Sequence, residues 1–293
     1  MLFKYKNSMI SQQKFQQEID IIIKNAIRED VGDGDHSSLA CIPENAKGKA
    51  KLLVKDNGII AGVDFAQQVF HYIDSTLKIT VDLPDGSFVR YGDIALIVEG
   101  KSRSILMAER LVLNAIQRMS AIATQTNKYV KILQDTRTRI LDTRKTTPGI
   151  RALEKWAVKI GGGTNHRFGL YDMIMLKDNH IDFAGGIEKA ILKTRQYLKE
   201  KNLDLKIEIE TRNLNEVKEV LRVGKVDRIM LDNFNFDDLK TAVKLINGKY
   251  ETEASGGITE ETLLKYAECG VDYISSGALT HSVKNMDFSL KAF

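Results

Sequence analysis

Residues 141–180 gather Arg144, Lys145, Arg151, Lys155, Lys159, Arg167 and Lys177 against Asp142, Glu154, Asp172 and Asp178. Gly161-Gly162-Gly163 sits in the middle, followed at once by Thr164-Asn165-His166-Arg167. Cations beside glycine backbone suit a small ligand with several negative charges, from phosphate, carboxylate or both. Arginine offers a planar fork that binds either group through two parallel hydrogen bonds, and lysine adds a mobile point charge. Arg144, Lys145, Arg167 and Lys177 therefore read as a polyanion receptor. Arg151, Lys155 and Lys159 recur along a helix and read as its solvated face.

Two acids, Glu210 and Asp232, end neighbouring apolar segments. In a basic mouth they could hold Mg²⁺ together with ligand phosphates. They could equally accept hydrogen bonds from sugar hydroxyls while stabilising positive charge on a ribose, or simply neutralise the cations. Glu208, two positions earlier, shares the strand face of Glu210, so the register is open between them. Ser255-Gly256-Gly257 and Ser276-Gly277-Ala278 offer backbone N–H groups to an anion such as a monophosphate. His166 suits either ligand contact, proton transfer or a structural hydrogen bond. His36, His71, His180 and His281 have no metal-ligand spacing. Walker, nucleophile-elbow and dinucleotide fingerprints are missing, so no organic cofactor is expected.

These groups need a scaffold that brings them together. From residue 139 onward, apolar β-type segments at 139–141, 173–176, 205–209, 228–231, 250–254 and 272–274 alternate with helical segments at 150–159, 187–198, 214–221, 236–245 and 260–269. Repeated β–α units build a parallel sheet, open or closed. All six strand ends are polar or glycine-rich, as expected of a barrel whose site lies at the C-terminal mouth. The first part is mixed: a helix at 15–28, strands at 49–54, 59–63, 77–81 and 94–98, a helix at 64–73, and a long helix from 102 to about 133 broken near Ser120. The fold class is α/β, with a C-terminal open barrel of about six strands at 121–280, an N-terminal α/β sandwich at 1–120, and a tail, 281–293, that returns to the sandwich.

Composition bounds the function. With 293 residues, 43% hydrophobic, 28% charged and a net charge of +4, the chain is an ordinary globular one and no nucleic-acid polycation. Its two cysteines, Cys41 and Cys269, lie far apart and read as buried thiols. Residues 1–11 lack a secretory signal and the apolar runs are too short to span a membrane, so a reducing cytoplasm is expected.

The chain resembles the quinolinate phosphoribosyltransferase family over nearly its full length. The resemblance is carried by Glu29-Asp30 with Gly32-Asp33-Gly34-Asp35, Ala108-Glu109-Arg110 with Leu113-Asn114, Leu141-Asp142-Thr143-Arg144-Lys145-Thr146-Thr147-Pro148-Gly149, and Gly162-Gly163 with Asn165-His166-Arg167. It continues through Met175-Leu176-Lys177-Asp178-Asn179-His180, Leu231-Asp232-Asn233 and Ala254-Ser255-Gly256-Gly257-Ile258. The resemblance implies transfer of phosphoribosyl from phosphoribosyl pyrophosphate (PRPP) to quinolinate with Mg²⁺ and loss of CO₂, on the route to NAD. It implies that Arg110, Arg144, His166, Arg167 and Lys177 face the acid's two carboxylates and nearby phosphate oxygens, that Thr143 also binds substrate, and that Lys145 approaches the reacting centre or the pyrophosphate. Glu210 and Asp232 would serve ribose and Mg²⁺, while Ser255, Gly256, Gly257, Ser276, Gly277 and Ala278 cradle the 5′-phosphate. It also implies a homodimer, or a hexamer of dimers, in which Arg110 enters the partner's site. The family's usual Ser-Gly-Ile-Ala-Thr reads Ser120-Ala121-Ile122-Ala123-Thr124 here, which allows a local helix shift. The rivals are a paralogue acting on another acceptor, a Schiff-base aldolase using Lys145 or Lys177, and a non-catalytic anion binder.

Overall fold

The structure, a computed structural model, describes residues 11–293; residues 1–10, most of the stretch read as lacking a secretory signal, lie outside it. Helix α1 (Gln12–Val31) starts behind Ser11, whose side chain accepts the Lys14 N–H, and buries Phe15, Ile19, Ile22 and Ile23 on one face. Next come α2 (His36–Cys41), β1 (Lys47–Val54), β2 (Gly58–Ile59), α3 (Val63–Ile73), β3 (Lys78–Val81), β4 (Phe88–Val89), β5 (Ile94–Lys101) and α4 (Ser102–Ile132). The strand expected at 59–63 stops at Ile59, because Gly62, at φ 102°, turns the chain into α3. Helix α4 runs unbroken for 31 residues, so the expected break at Ser120 is absent. The Ser120 hydroxyl bonds the Ala61 N–H and carbonyl instead of competing for its own helix backbone. Ala121 is buried within the same continuous helix.

The chain continues through β6 (Arg139–Leu141), α5 (Arg151–Ile160), β7 (Ile174–Leu176), α6 (Asp178–Ala184), α7 (Ile187–Lys201), β8 (Ile207–Thr211), α8 (Leu214–Val223), β9 (Arg228–Asp232), α9 (Phe236–Ile246) and β10 (Glu251–Ser255). It ends with α10 (Glu260–Glu268), β11 (Tyr273–Ser275), α11 (Ala278–His281) and β12 (Phe288–Ala292). Two compact units result. The first holds the described residues through Asn127 with Lys145–Gly163 and Ala278–Phe293; the second holds Lys128–Arg144 and Thr164–Gly277.

In the first unit an antiparallel sheet runs β12-β1-β5-β3, beside the two-stranded ribbon β2-β4. Helix α3 buries Val63, Phe65, Ala66, Val69 and Phe70, giving an α/β sandwich. The glycine triplet belongs to packing here rather than to a ligand. A Cβ on Gly161 would strike the Ala123 carbonyl and Thr126, and one on Gly163 would meet Thr126 and Val158 at 2.7 and 2.8 Å. The solvated-face reading of α5 is also corrected. Lys155 is buried, and Arg151 is half-buried with its Nε donating to the Thr146 hydroxyl. Cys269 is buried, but Cys41 is exposed.

In the second unit six parallel strands run β6-β11-β10-β9-β8-β7, with β6 and β7 as the edges. Strand alternation separates two kinds of residue. Ile207, Ile209, Ile229, Leu231, Ala254 and Ile274 take one face and are buried with the apolar sides of α7 to α10. The opposite face carries Glu208, Glu210, Arg228, Asp232, Glu253 and Ser255. His166 follows edge strand β6, yet its ring contacts Glu208 on β8 and Glu253 on β10. That contact requires the sheet to curl around its polar face into an open barrel.

One pH effect follows from the first unit. Asp85 accepts the N–H groups of Val63 and Asp64 at 2.8 and 3.3 Å, capping α3 where Gly62 has no side chain to do so. Burial dominates over these bonds and raises the carboxyl to about 6. The folded state therefore holds a proton that the unfolded chain releases near its ordinary pKa of about 3.9. Stability contributed by the neutral acid is full below that value and falls as pH rises to about 6, by about 3 kcal/mol. Thermal melts from pH 4 to 7 should show this fall, and Asp85→Asn should flatten it; equal slopes in the two proteins would refute the shift.

Candidate functional site

Every predicted strand-end residue of the second unit lies at the C-terminal end of its strand or in the segment that follows. Strand β8 extends two residues beyond the expected end, so Glu210 lies within it rather than after it. This resolves the register. Glu208 and Glu210 both face the interior, and Glu210, nearer the mouth, meets Lys177 Nζ at 3.3 Å. Glu208 lies deeper and meets His166 Nε2 at 3.0 Å. Lys177 caps α6, a helix that was not expected, and its backbone N–H donates to His180 Nδ1.

Backbone bonds lace neighbouring strand ends together. Asp232 closes β9, half-buried, and accepts from the Asn233 amide at 2.6 Å. Asn233 adopts φ 56° and donates its N–H to the Ser255 carbonyl at 2.8 Å. Gly256 and Gly257 follow at φ 96° and 59°, conformations open to glycine at little cost. A Cβ on Gly256 would collide with the Asn233 amide. On the next strand the Ser276 N–H donates to the Leu141 carbonyl at 3.0 Å. Ser255-Gly256-Gly257 and Ser276-Gly277 thus leave adjacent strands, side by side.

The wall after β6 hangs on Asp142. Fully buried, it accepts the His166 N–H at 2.8 Å and the Asn165 amide at 2.6 Å. Thr164 pairs with the β6 backbone, its N–H donating to the Ile140 carbonyl and its own carbonyl accepting the Asp142 N–H. Arg167 is buried and donates from Nη1 to the Met173 carbonyl at 3.2 Å. Burial lowers its pKa and the Arg144 charge beside it lowers it further, while Glu208 and Asp172 act the other way. Arg144 and Arg167 therefore stand near enough for their like charges to repel.

Beneath the mouth lies a charged cluster. His166 Nε2 is 3.0 Å from Glu208 and 3.4 Å from Glu253, and Arg228 Nη1 is 3.0 Å from Glu253 and 3.8 Å from Glu208. Arg228 also reaches Glu251 at 3.0 Å and lies over the Tyr273 ring. Burial disfavours the His166 cation, but Glu253 and Glu208 outweigh it and raise the ring's affinity for its proton. Burial and the Glu253 charge push Glu208 up. Burial also opposes the ionised Glu253, yet the His166 and Arg228 cations hold it at about 2. Sequence reasoning named His166 but missed Glu253 and Arg228. The signal was present, as charged residues two apart inside apolar strands.

Arg110, Lys145 and Ala278 belong to the first unit. Arg110 is exposed on α4, and Lys145 is exposed. The loop holding Lys145 is tied within that unit. The Thr280 hydroxyl donates to the Lys145 carbonyl at 2.8 Å. Fully buried Glu154 accepts the N–H and hydroxyl of Thr147 and two bonds from Arg118 at 3.0 and 2.9 Å.

Comparison with known proteins gives a consistent result. The quinolinate phosphoribosyl transferase N-terminal domain matches residues 35–120 and the C-terminal domain matches residues 122–291. An Arabidopsis thaliana protein named nicotinate-nucleotide pyrophosphorylase [carboxylating], chloroplastic, is 48% identical, over 94% of this chain and 82% of its own. A Bacillus subtilis protein named as a probable nicotinate-nucleotide pyrophosphorylase [carboxylating] is 42% identical, over 92% of this chain and 91% of its own. The crystal structure of NadC from Streptococcus pyogenes superposes with a TM-score of 0.88 at 41% identity, covering 96% of this chain and 98% of that one.

Gly256→Ala tests the turn between β10 and α10. The positive φ and the collision with Asn233 should cost about 1–3 kcal/mol of stability, read by urea denaturation. An unchanged midpoint would show that the turn relaxes freely.

Proposed function

Because this chain belongs to the quinolinate phosphoribosyltransferase family, we propose a division of labour for a site that transfers phosphoribosyl from PRPP to quinolinate, yielding nicotinate mononucleotide, pyrophosphate and CO₂ for NAD synthesis. The adjacency of Arg144 and Arg167 carries this reading. Two neighbouring guanidinium groups, one of them buried, suit a ligand with two negative groups, and quinolinate has two carboxylates. Thr143, His166 and Lys177 complete that wall, and Lys145 serves the reacting centre. Ser255, Gly256, Gly257, Ser276, Gly277 and Ala278 take the 5′-phosphate.

Glu210 and Asp232 supply carboxylate oxygens, the donor type that Mg²⁺ takes beside phosphate. Two such groups at the mouth suit an ion that arrives with PRPP rather than one caged by protein. Among the described residues the clustered three-ligand group is instead His166, Glu208 and Glu253, below them. When bound, Mg²⁺ would neutralise charge on the departing pyrophosphate. Glu210 and Asp232 would also stabilise the positive charge that grows on the ribose carbon as its bond to pyrophosphate breaks. The clamp holds the pyridine nitrogen in line with that carbon, and a nitrogen–carbon bond forms. The ring, now cationic, accepts the electron pair released when the adjacent carboxylate leaves as CO₂, and a proton takes its place on the ring carbon.

A homodimer, or a hexamer of dimers, with exposed Arg110 entering the partner's site fits this chemistry, since the dicarboxylate has room for a further cation. No helix among the described residues is long and apolar enough to cross a membrane. We place the enzyme in the cytoplasm.

Incubation with PRPP, Mg²⁺ and quinolinate should release CO₂ and form the mononucleotide. Turnover of nicotinate but not quinolinate would sink the reading. Arg144→Ala should lower kcat/KM for quinolinate about 100-fold by leaving a carboxylate unpaired. Near-normal turnover of that variant would remove the clamp assignment.

A further inference from the structure

The chemistry above uses the mouth of the barrel and leaves Glu208, Glu253 and Arg228 without a task. Both acids are closed to solvent, and Arg228 is nearly so. Such charge is costly to keep, and apolar side chains of similar volume commonly serve stability as well or better. Its arrangement points upward. Glu208 and Glu253 bracket His166 Nε2 at 3.0 and 3.4 Å, while the Arg167 backbone nitrogen lies 2.6 Å from Nδ1 of the same ring. Asp142 fixes the His166 N–H from the β6 side at 2.8 Å. The charged ring carries a proton on Nε2, facing the acids. Turning the ring would break contacts at both nitrogens and shift the backbone from which Arg167 projects.

We propose that Glu208 and Glu253 are positioning residues for the acid substrate, acting through the His166 ring to hold Arg167 where it meets a carboxylate. This rests on the reading that quinolinate binds at Arg144 and Arg167. The cluster is charge-balanced by protein alone. Arg228 stands against both acids at 3.0 and 3.8 Å. The acids touch neither substrate nor the reacting atoms. Their effect is geometric, and a displacement of an ångström at a clamp costs heavily in binding and rate.

Steady-state kinetics on the intact enzyme test this with Glu208→Gln, Glu253→Gln, His166→Gln and the double variant Glu208→Gln/His166→Gln. Each single change should raise KM for quinolinate about tenfold while KM for PRPP moves less than about twofold. The double variant should lose less than the product of its singles, because the acid acts through the ring. Equal rises in both KM values, or fully multiplicative losses, overturn the proposal. Should the glutamine variants fail to fold, ¹⁵N spectra of histidine-labelled wild type decide. A slowly exchanging proton on Nε2 of His166 supports it; a ring that exchanges rapidly with solvent overturns it. Stoichiometric metal in the purified wild type, lost in Glu208→Gln, would also overturn it. Wild-type turnover keeps the two readings apart: no reaction with quinolinate sinks the functional reading, whereas normal wild-type turnover with unaltered variants sinks only this one.

Discussion

Two carboxylates without solvent exposure, Glu208 and Glu253, share one imidazole nitrogen in the barrel interior, and Arg228 closes the group from the start of β9. Charge in such a place must be matched within a few ångströms. Much of the second unit follows from that need. Parallel strands buried on both faces usually read as continuous apolar runs. Here β8, β9 and β10 alternate, apolar toward the helices and charged toward the interior. The alternation fixes register, since a slip of one residue would press Glu208 and Glu253 into the helix layer. It also draws the segment after edge strand β6 across the sheet, because His166 is the partner the acids require.

The same logic grades the interior from floor to mouth. Arg228, Glu251 and Tyr273 form the lowest layer, His166 with Glu208 and Glu253 the next, and Lys177, Glu210 and Asp232 the rim. Acids dominate the middle and cations gather at the wall after β6, so buried Glu208 offsets part of the repulsion that Arg144 exerts on Arg167. The second unit thus supplies the cation pair, the rim acids and the paired glycine loops on a single sheet.

Much of this was legible in the sequence, and the exceptions have physical causes. The β–α rhythm was readable because apolar segments and amphipathic helices have distinct periods. The six polar strand ends identified the mouth. Register within β8 was not readable, since Glu208 and Glu210 share one face and only the three-dimensional partner tells them apart. Helices α2 and α6 are too short for a periodic pattern. The ribbon strand β4, only Phe88–Val89, is set by its partner rather than by its own residues. Charge counting misjudged α5, because Lys155 is a cation by type and buried by position. The glycine triplet misled for the opposite reason. A missing side chain serves close packing as readily as ligand approach, and Gly161 and Gly163 pack against α4.

The first unit is assembled from three separate stretches of chain, and β12 supplies an outer strand of its sheet, pairing Leu290 with Leu52 on β1. During synthesis β1 leaves the ribosome long before that partner exists. Until β12 is made, one edge of the nascent sheet is open to any passing strand, a route to misassembly. In the barrel, strands β7 to β11 pair with neighbours in sequence order, whereas β6 also waits for the last of them, β11. Synthesis of β12 is therefore the step that covers that edge of β1.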